Sequence, residues 1–211
     1  MNSTVFPLLG LSRHRMGTDG VGITTLAAAA GCPLHCLWCI NKELLHKAQP
    51  ENVTPEEFLE RVKVDDLYFR ATGGGITFGG GEPLLQADFI KEFREICPEE
   101  WNITVETSLF VPRNYLAQVI EAVDFFVVDC KEMNEDIYRK YTGEDLSVAE
   151  ENLQFLLQRK DAENILVRVP LIPGFNTEED RQKSVEKLRK MGVKRLDLFT
   201  YRVTGGQWTV L

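Results

Sequence analysis

The sequence predicts an α/β fold built on a parallel sheet. Two observations carry this. Strand-like and helix-like segments alternate along the chain in six β/α-type units, and such alternation means parallel strands joined by crossover helices. The residue types that do chemistry also fall just after successive strands, where parallel α/β folds gather their ligands. Periodicity alone leaves open whether the six strands lie flat or curl into part of a barrel.

The elements follow in order. Ile23 to Ala30 is a small apolar run ending at a cysteine-rich loop. Thr54-Pro55-Glu56-Glu57 is a helix start, with a capping hydroxyl, a proline suited to the first turn and acids at the positive end of the dipole. Phe58, Leu59 and Val62 give that helix its apolar face. Gly75 to Phe78 reads as a short strand and Gln86 to Ile96 as a helix. Ile103 to Thr107 is a strand, followed by a helix over Pro112 to Val123. Phe125 to Asp129 is a continuous apolar run, the mark of a buried parallel strand. Asn134 to Tyr141 and Ser147 to Arg159 are helical, Ile165 to Pro170 a strand, Thr177 to Met191 a helix, and Arg195 to Tyr201 the last strand.

The 211 residues carry no long-period repeat, low-complexity tract or linker, so residues 1–211 are read as one domain. At 44% hydrophobic residues the chain can bury a proper core. A net charge of -8 argues against a general nucleic-acid binder. Met1 to Gly10 holds only a short apolar stretch without a basic start, which is neither a signal peptide nor a membrane span. A cytoplasmic location is expected, where thiols stay reduced.

Cys32, Cys36 and Cys39 place three thiols within the eight residues 32–39, spaced C-x3-C-x2-C. Three thiolates in so tight a loop can hold three irons of a cubane and leave the fourth open to a ligand. A structural zinc site would need a fourth ligand, and His35 lies awkwardly between two of the cysteines. A disulfide would leave one thiol over. Cys97 and Cys130 are expected as buried small hydrophobes. A second signal is the run Gly79-Gly80-Gly81-Glu82-Pro83, about forty residues after the cysteines. Glycines lacking a Cβ let the backbone approach a ligand closely.

The two motifs, in this order, are similar to those of the radical S-adenosylmethionine (radical SAM) superfamily: C-x3-C-x-aromatic-C, with Trp38 as the aromatic, and GGEP. That resemblance implies a partial (β/α)6 barrel of parallel strands, a [4Fe–4S] cluster held by Cys32, Cys36 and Cys39, and S-adenosylmethionine chelating the open iron. Reductive cleavage of that cofactor would release a 5′-deoxyadenosyl radical, which abstracts hydrogen. The resemblance further implies that Trp38 meets the adenine, and that Gly80, Gly81 and Glu82 meet the methionine ammonium. It puts Glu106 and Ser108 near the ribose and methionine. Asp129 and Lys131 resemble an Asp-x-Lys element, with Lys131 on the methionine carboxylate. A solvated Asp129–Lys131 pair is the plain alternative, as is a core aromatic for Trp38. Arg168 lies in an apolar strand, where a charge needs a partner. It is read either as a substrate contact or as an ion pair with Asp129 or Glu106.

Within the superfamily the chain most resembles activating enzymes of glycyl-radical enzymes, in a minimal form. Asp19-Gly20-Val21-Gly22-Ile23 is similar to their DGPGIR segment, and Gly73 to Phe89, Lys131 to Asn134 and Val167 to Gly174 follow their pattern. The departures are Thr24, Ala28, Leu109 where a glycine commonly stands, and Arg202 where a histidine is expected. The few residues after Tyr201 are expected to leave the barrel mouth open to a large guest. The implied partners are a glycyl-radical enzyme and a low-potential electron donor, flavodoxin or ferredoxin, in an anaerobic setting. The other readings are a radical SAM enzyme acting on a small molecule of the deazapurine type or on a short peptide, and a non-catalytic iron–sulfur protein.

Overall fold

The computed structural model describes residues 4–204 and 207–210, and of residues 202–210 only the backbone. The expectation for the Arg202 side chain therefore lies outside the described residues. In chain order the strands are β1 Phe6–Met16, β2 Ile23–Ala29, β3 Glu51–Val53, β4 Gly75–Gly80, β5 Asn102–Thr107, β6 Phe125–Asp129, β7 Ile165–Leu171, β8 Arg195–Thr204 and β9 Gln207–Val210. The helices are α1 Lys42–Lys47, α2 Pro55–Val62, α3 Asp66–Thr72, α4 Ala87–Ile96, α5 Arg113–Val119, α6 Glu135–Thr142, α7 Ser147–Arg159 and α8 Glu178–Met191.

All strands join one sheet in the order β3-β1-β2-β4-β5-β6-β7-β8-β9. The six from β2 to β8 that neighbour one another in chain order run parallel. This is the partial (β/α)6 barrel, with β3 and β9 at its two ends.

Helix starts follow the sequence closely. Thr54 and Thr177 each build a capping box, with Glu57 and Asp180, and the Asn134 side chain caps α6. The helix expected over Pro112 to Val123 ends earlier, at Val119. The carbonyls just past its end turn to the Lys160 ammonium, which donates to Ile120 O at 3.3 Å and Val123 O at 2.6 Å.

The N-terminal strand was not expected. β1 pairs antiparallel with β2, Leu8 opposite Ala29, and β3 lines its other side. Pro7, Gly10 and register shifts between Leu8/Gly10 and Ser12/Arg15 break the period-two signal. Helix α1 was missed for a different reason: it buries no residue and so has no apolar face to read.

The two faces of the sheet differ. Toward the helices lies a cluster of phenylalanines. Phe6 meets Phe89 and Phe58 meets Phe93, each with ring centroids 5.0 Å apart, and Phe78 packs among them. Each such buried ring contributes roughly 2–3 kcal/mol by removal from water. The concave face carries Leu26, Ala28, Leu166, Arg168 and Asp197 instead, and these line a cavity. The helix-side core holds the barrel open around a partly polar interior.

Candidate active site

The cysteine loop starts where β2 ends. Ala30 N donates to Pro7 O at 2.8 Å, and the loop then crosses to the end of α6. There His35 N donates to Thr142 O at 3.1 Å and Leu37 N to Tyr141 O at 3.0 Å. The Trp38 ring meets Phe175 edge-on, centroids 4.8 Å apart. The loop is thus anchored on the first strand, the sixth helix and the segment after β7.

Every residue expected in the site borders one cavity of about 870 Å³. The cysteine loop contributes Cys32, Cys36, Trp38 and Cys39. The ends of β4, β5 and β6 contribute Gly80-Gly81-Glu82, Glu106 and Ser108, and Asp129 and Lys131, and the middle of β7 contributes Arg168. The three thiols are free. Burial pushes Cys32 up to about 11, against a hydrogen bond from the Leu34 backbone, and also raises Cys36. Cys97 and Cys130 are buried away from this cavity and are pushed by burial up to about 11 and about 12. Among the described residues, no three Cys, His, Asp or Glu side chains are grouped closely enough to hold a single metal ion.

The glycines after β4 lie on the cysteine loop. Gly81 N donates to Ala29 O at 2.9 Å and Glu82 N to Gly31 O at 2.8 Å. A Cβ on Gly81 would sit 2.1 Å from Gly31 O, and Gly80, at φ +90°, has room for none against Ala28. Gly80 thus approaches β2 closely and Gly81 the cysteine loop, which fixes the cysteines against the strand ends.

Glu82 is fully buried and surrounded by protein donors. Its Oε1 accepts from Thr107 Oγ1 at 2.7 Å and Leu84 N at 3.3 Å. Its Oε2 accepts from Ser108 N at 2.9 Å and Ser108 Oγ at 2.6 Å. Burial still holds its pKa above the usual carboxylate range, these bonds opposing. Glu82 and Ser108 therefore fasten β4 to β5.

Lys131 Nζ lies 3.1 Å from Asp129 Oδ2. Burial works against the ammonium, but Asp129 and other neighbours outweigh it, and the pKa stands well above the usual value. Burial likewise works against the Asp129 charge, yet Lys131 and Arg168 hold its pKa low. Of the two readings of Arg168, the structure supplies the ion pair with Glu106, at 2.8 Å. Arg168 also donates to Thr18 O. Asp19, Asp129 and Asp197 stand 3.9, 3.9 and 3.8 Å from it.

Thr18 and Asp19, where the Asp19–Gly22 segment starts, form the floor. Thr77 Oγ1 donates to Asp19 O at 2.5 Å, and a Cβ on Gly20 would touch Thr104 Oγ1 at 2.7 Å. Arg15 pairs with Asp19. Sequence reasoning did not single out Asp197, Tyr141 or Tyr201, which also line the cavity. Asp197 and Tyr201 share the period-two face of β8 with Phe199, a signal available in the sequence. Tyr141, at the end of a helix, had none.

The donor set fits an iron–sulfur cluster beside a zwitterionic ligand: three free thiols on one loop, and within the same cavity the half-buried Lys131 ammonium and the carboxylates of Glu82, Glu106 and Asp129.

Comparison with known proteins gives the same picture. Residues 28–207 match the sequence model of the Radical SAM superfamily. The pyruvate formate-lyase 1-activating enzyme of Escherichia coli (strain K12) is 29% identical over 192 residues, 89% of this chain and 77% of that protein. The pyruvate formate-lyase-activating enzyme of Clostridium pasteurianum is 29% identical over 197 residues, 89% of this chain and 79% of that protein. Among solved structures, Streptococcus suis SuiB bound to S-adenosylmethionine superposes with a TM-score of 0.66 at 12% identity, over 94% of this chain and 44% of that longer one. That likeness is one of fold.

Proposed function

The chain belongs to the radical SAM superfamily, whose enzymes use a [4Fe–4S] cluster and S-adenosylmethionine, and from that premise we propose that it is an activating enzyme for a glycyl-radical enzyme. Its similarity to pyruvate formate-lyase activating enzymes over most of its length supports this reading. One observation of the site carries it further. Among the described residues, the two arginines that line the cavity are engaged by carboxylates, Arg15 by Asp19 and Arg168 by Glu106. Among those residues an anionic small molecule would find carboxylates around Arg168 and no uncommitted arginine to pair with. A neutral peptide backbone suits such a cavity, and Arg168 with the Thr18–Asp19 floor would meet it.

The roles follow from position. Cys32, Cys36 and Cys39 would hold the cluster. Lys131 would take the carboxylate of S-adenosylmethionine, Asp129 keeping it charged. Trp38 would close the adenine side. Glu82 and Ser108 would act on the cofactor through one another, by setting the spacing of the strand ends, while the Gly80-Gly81 backbone and Glu106 face it. When bound, the cluster and S-adenosylmethionine supply the electron and the carbon-centred radical that removes hydrogen. The barrel walls keep water from it.

Residues 1–211 would act as one radical SAM domain. Among the described residues no helix is long and apolar enough to cross a membrane. A cytoplasmic setting with flavodoxin or ferredoxin as reductant completes the proposal. The test is anaerobic incubation with a candidate partner bearing a glycyl-radical segment. A doublet electron paramagnetic resonance signal that collapses when glycine carries deuterium at Cα supports it. Turnover of a small heterocycle or short peptide, with no protein radical, favours the alternative.

A further inference from the structure

Glu132 follows Lys131 in the chain, but it does not border the cavity and is only 2% exposed. Among the described residues, the donors that meet its carboxylate are all neutral. Its Oε1 accepts from Met133 N at 2.7 Å, Asn134 N at 3.2 Å and Ser184 Oγ of α8, and its Oε2 accepts from Asn176 Nδ2 at 2.9 Å. Such a carboxylate adds little net stability, because its desolvation offsets its bonds; what it adds is direction. Asn176, itself buried, is fixed at both ends of its amide. Nδ2 also donates to Pro170 O at 3.0 Å, and Oδ1 accepts from Ile172 N at 2.6 Å. Turning the amide over would set donor against donor and acceptor against acceptor. Asn176 thereby closes the turn at 172–176, where Phe175 N donates to Ile172 O at 3.0 Å. That turn is the seat of Trp38. Phe175 meets the indole edge-on, and a Cβ on Gly174 would lie 3.9 Å from Trp38 Cη2. Ile172 belongs to the small cluster packed against Cys36 and Trp38.

We propose that Glu132 is a positioning residue for the cofactor pocket: through Asn176 it ties the turn that seats Trp38 to the strand end that carries Lys131. Lys131 is placed by β6, whereas Trp38 leans on a turn outside the sheet. A ring seated on a turn is held less tightly than a group on a strand unless further bonds lock the turn. The Glu132–Asn176 bond joins the two directly, so the groups expected at the two ends of the ligand keep one spacing. Ser184 steadies Glu132 from α8. Glu132 meets no ligand and acts only through Asn176. The proposal rests on the S-adenosylmethionine pocket proposed above and is independent of what the radical attacks.

The experiment measures dissociation constants on the cluster-loaded protein with two probes, S-adenosylmethionine and methionine. Methionine shares the amino and carboxylate groups and lacks the adenosine. The main variant is Glu132→Gln. Its amide oxygen can keep the donors now at Oε1, but its NH2 then faces the Asn176 NH2, so the one bond to the turn is cut. Glu132→Gln should weaken S-adenosylmethionine about tenfold, the size expected for a bond to a charged group, and leave methionine unchanged. Hydrogen exchange at 172–176 should quicken, and iron content should match the parent. Ser184→Ala loosens the same carboxylate but keeps the Asn176 bond, so the ratio of the two constants should stay at the parent's value. Equal weakening of both probes would make Glu132 merely structural and overturn the proposal. So would an unchanged S-adenosylmethionine constant, unaltered exchange at 172–176, or the same change of ratio in Ser184→Ala. If Glu132→Gln fails to load a cluster, Asn176→Ala cuts the same bond from the other side, and its ratio decides by the same criterion. A parent that binds methionine as tightly as S-adenosylmethionine would overturn the pocket assignment and this proposal with it. A missing radical on the partner defeats only the activating-enzyme reading.

Discussion

Glu82 and Ser108 are joined twice, Ser108 donating from both its backbone N and its Oγ to one carboxylate oxygen, at 2.9 and 2.6 Å. This pair ties the glycine loop after β4 to the end of β5. A residue read from the sequence as a ligand is thus also a strut between two strand ends, in the wall of the cavity it lines.

The strut gives a prediction about Glu82. Glu82→Ala leaves four donors unpaired, those of Leu84 and Thr107 buried and the two of Ser108 half-buried, and should destabilise the fold by about 3 kcal/mol. Glu82→Gln, which still accepts at one oxygen, should retain most of the stability and cofactor affinity. Urea unfolding and binding isotherms on both variants check this. A stable Glu82→Ala protein with lost affinity would return the residue to the role of a direct ligand.

Leu109 gives a second. It is buried and sits at φ 59°, in the left-handed region that favours glycine. The resemblance to activating enzymes implies a glycine at this position, and this backbone conformation is one that glycine adopts without strain. Asn152 holds the turn, donating from Nδ2 to Leu109 O at 2.9 Å and Val111 O at 2.8 Å. Both Leu109→Gly and Leu109→Ala lose apolar burial. At this φ, however, glycine should be more stable than alanine by about 1 kcal/mol, the reverse of the usual order. Midpoints of chemical denaturation compare them, and alanine ranking above glycine would contradict the strained backbone.

Arg168 and Glu106 give a prediction with a pH sign. Burial raises the Glu106 pKa, and Arg168 opposes it. Arg168→Met removes the opposing cation and leaves a buried carboxylate unpaired, at a cost of about 3 kcal/mol. A raised folded-state pKa means stability is full below the unfolded carboxylate pKa and is lost as pH rises through the folded value. The loss in Arg168→Met should therefore be larger at pH 8 than at pH 5. Adding Glu106→Gln should restore most of it at pH 8. A loss independent of pH would show that Glu106 does not carry the effect.

The cysteines divide cleanly. Anaerobic reconstitution should give about four irons and four sulfides per chain, as a cubane requires. Alanine at Cys32, Cys36 or Cys39 should abolish this, whereas alanine at the buried Cys97 or Cys130 should leave it. A full cluster in the triple variant at 32, 36 and 39 would exclude these ligands.

Much of this was legible in the sequence because its signals are local. The C-x3-C-x2-C spacing, the glycine run and the capping residues Thr54, Asn134 and Thr177 each act within a few residues, and the alternation of elements placed six parallel strands. What was hidden depends on distant partners. Strand β1 is carried by pairing with β2 and β3 rather than by its own broken pattern. The strut role of Glu82 requires Thr107 and Ser108, 25 and 26 residues away. Arg168 finds Thr18 across 150 residues. Tyr141 and Tyr201 meet only because α6 and β8 converge on the cysteine loop.

The central claim is that this cavity takes hydrogen from a glycine Cα of a partner protein. The most direct measurement is mass spectrometry of the 5′-deoxyadenosine released when the reduced, cluster-loaded enzyme meets a partner grown with glycine deuterated at Cα. The account predicts one deuterium in the released nucleoside, with none when unlabelled partner is used or when Cys32, Cys36 and Cys39 are replaced. Release of unlabelled nucleoside from the labelled partner, with deuterium arriving instead from a labelled small molecule or short peptide, would contradict it.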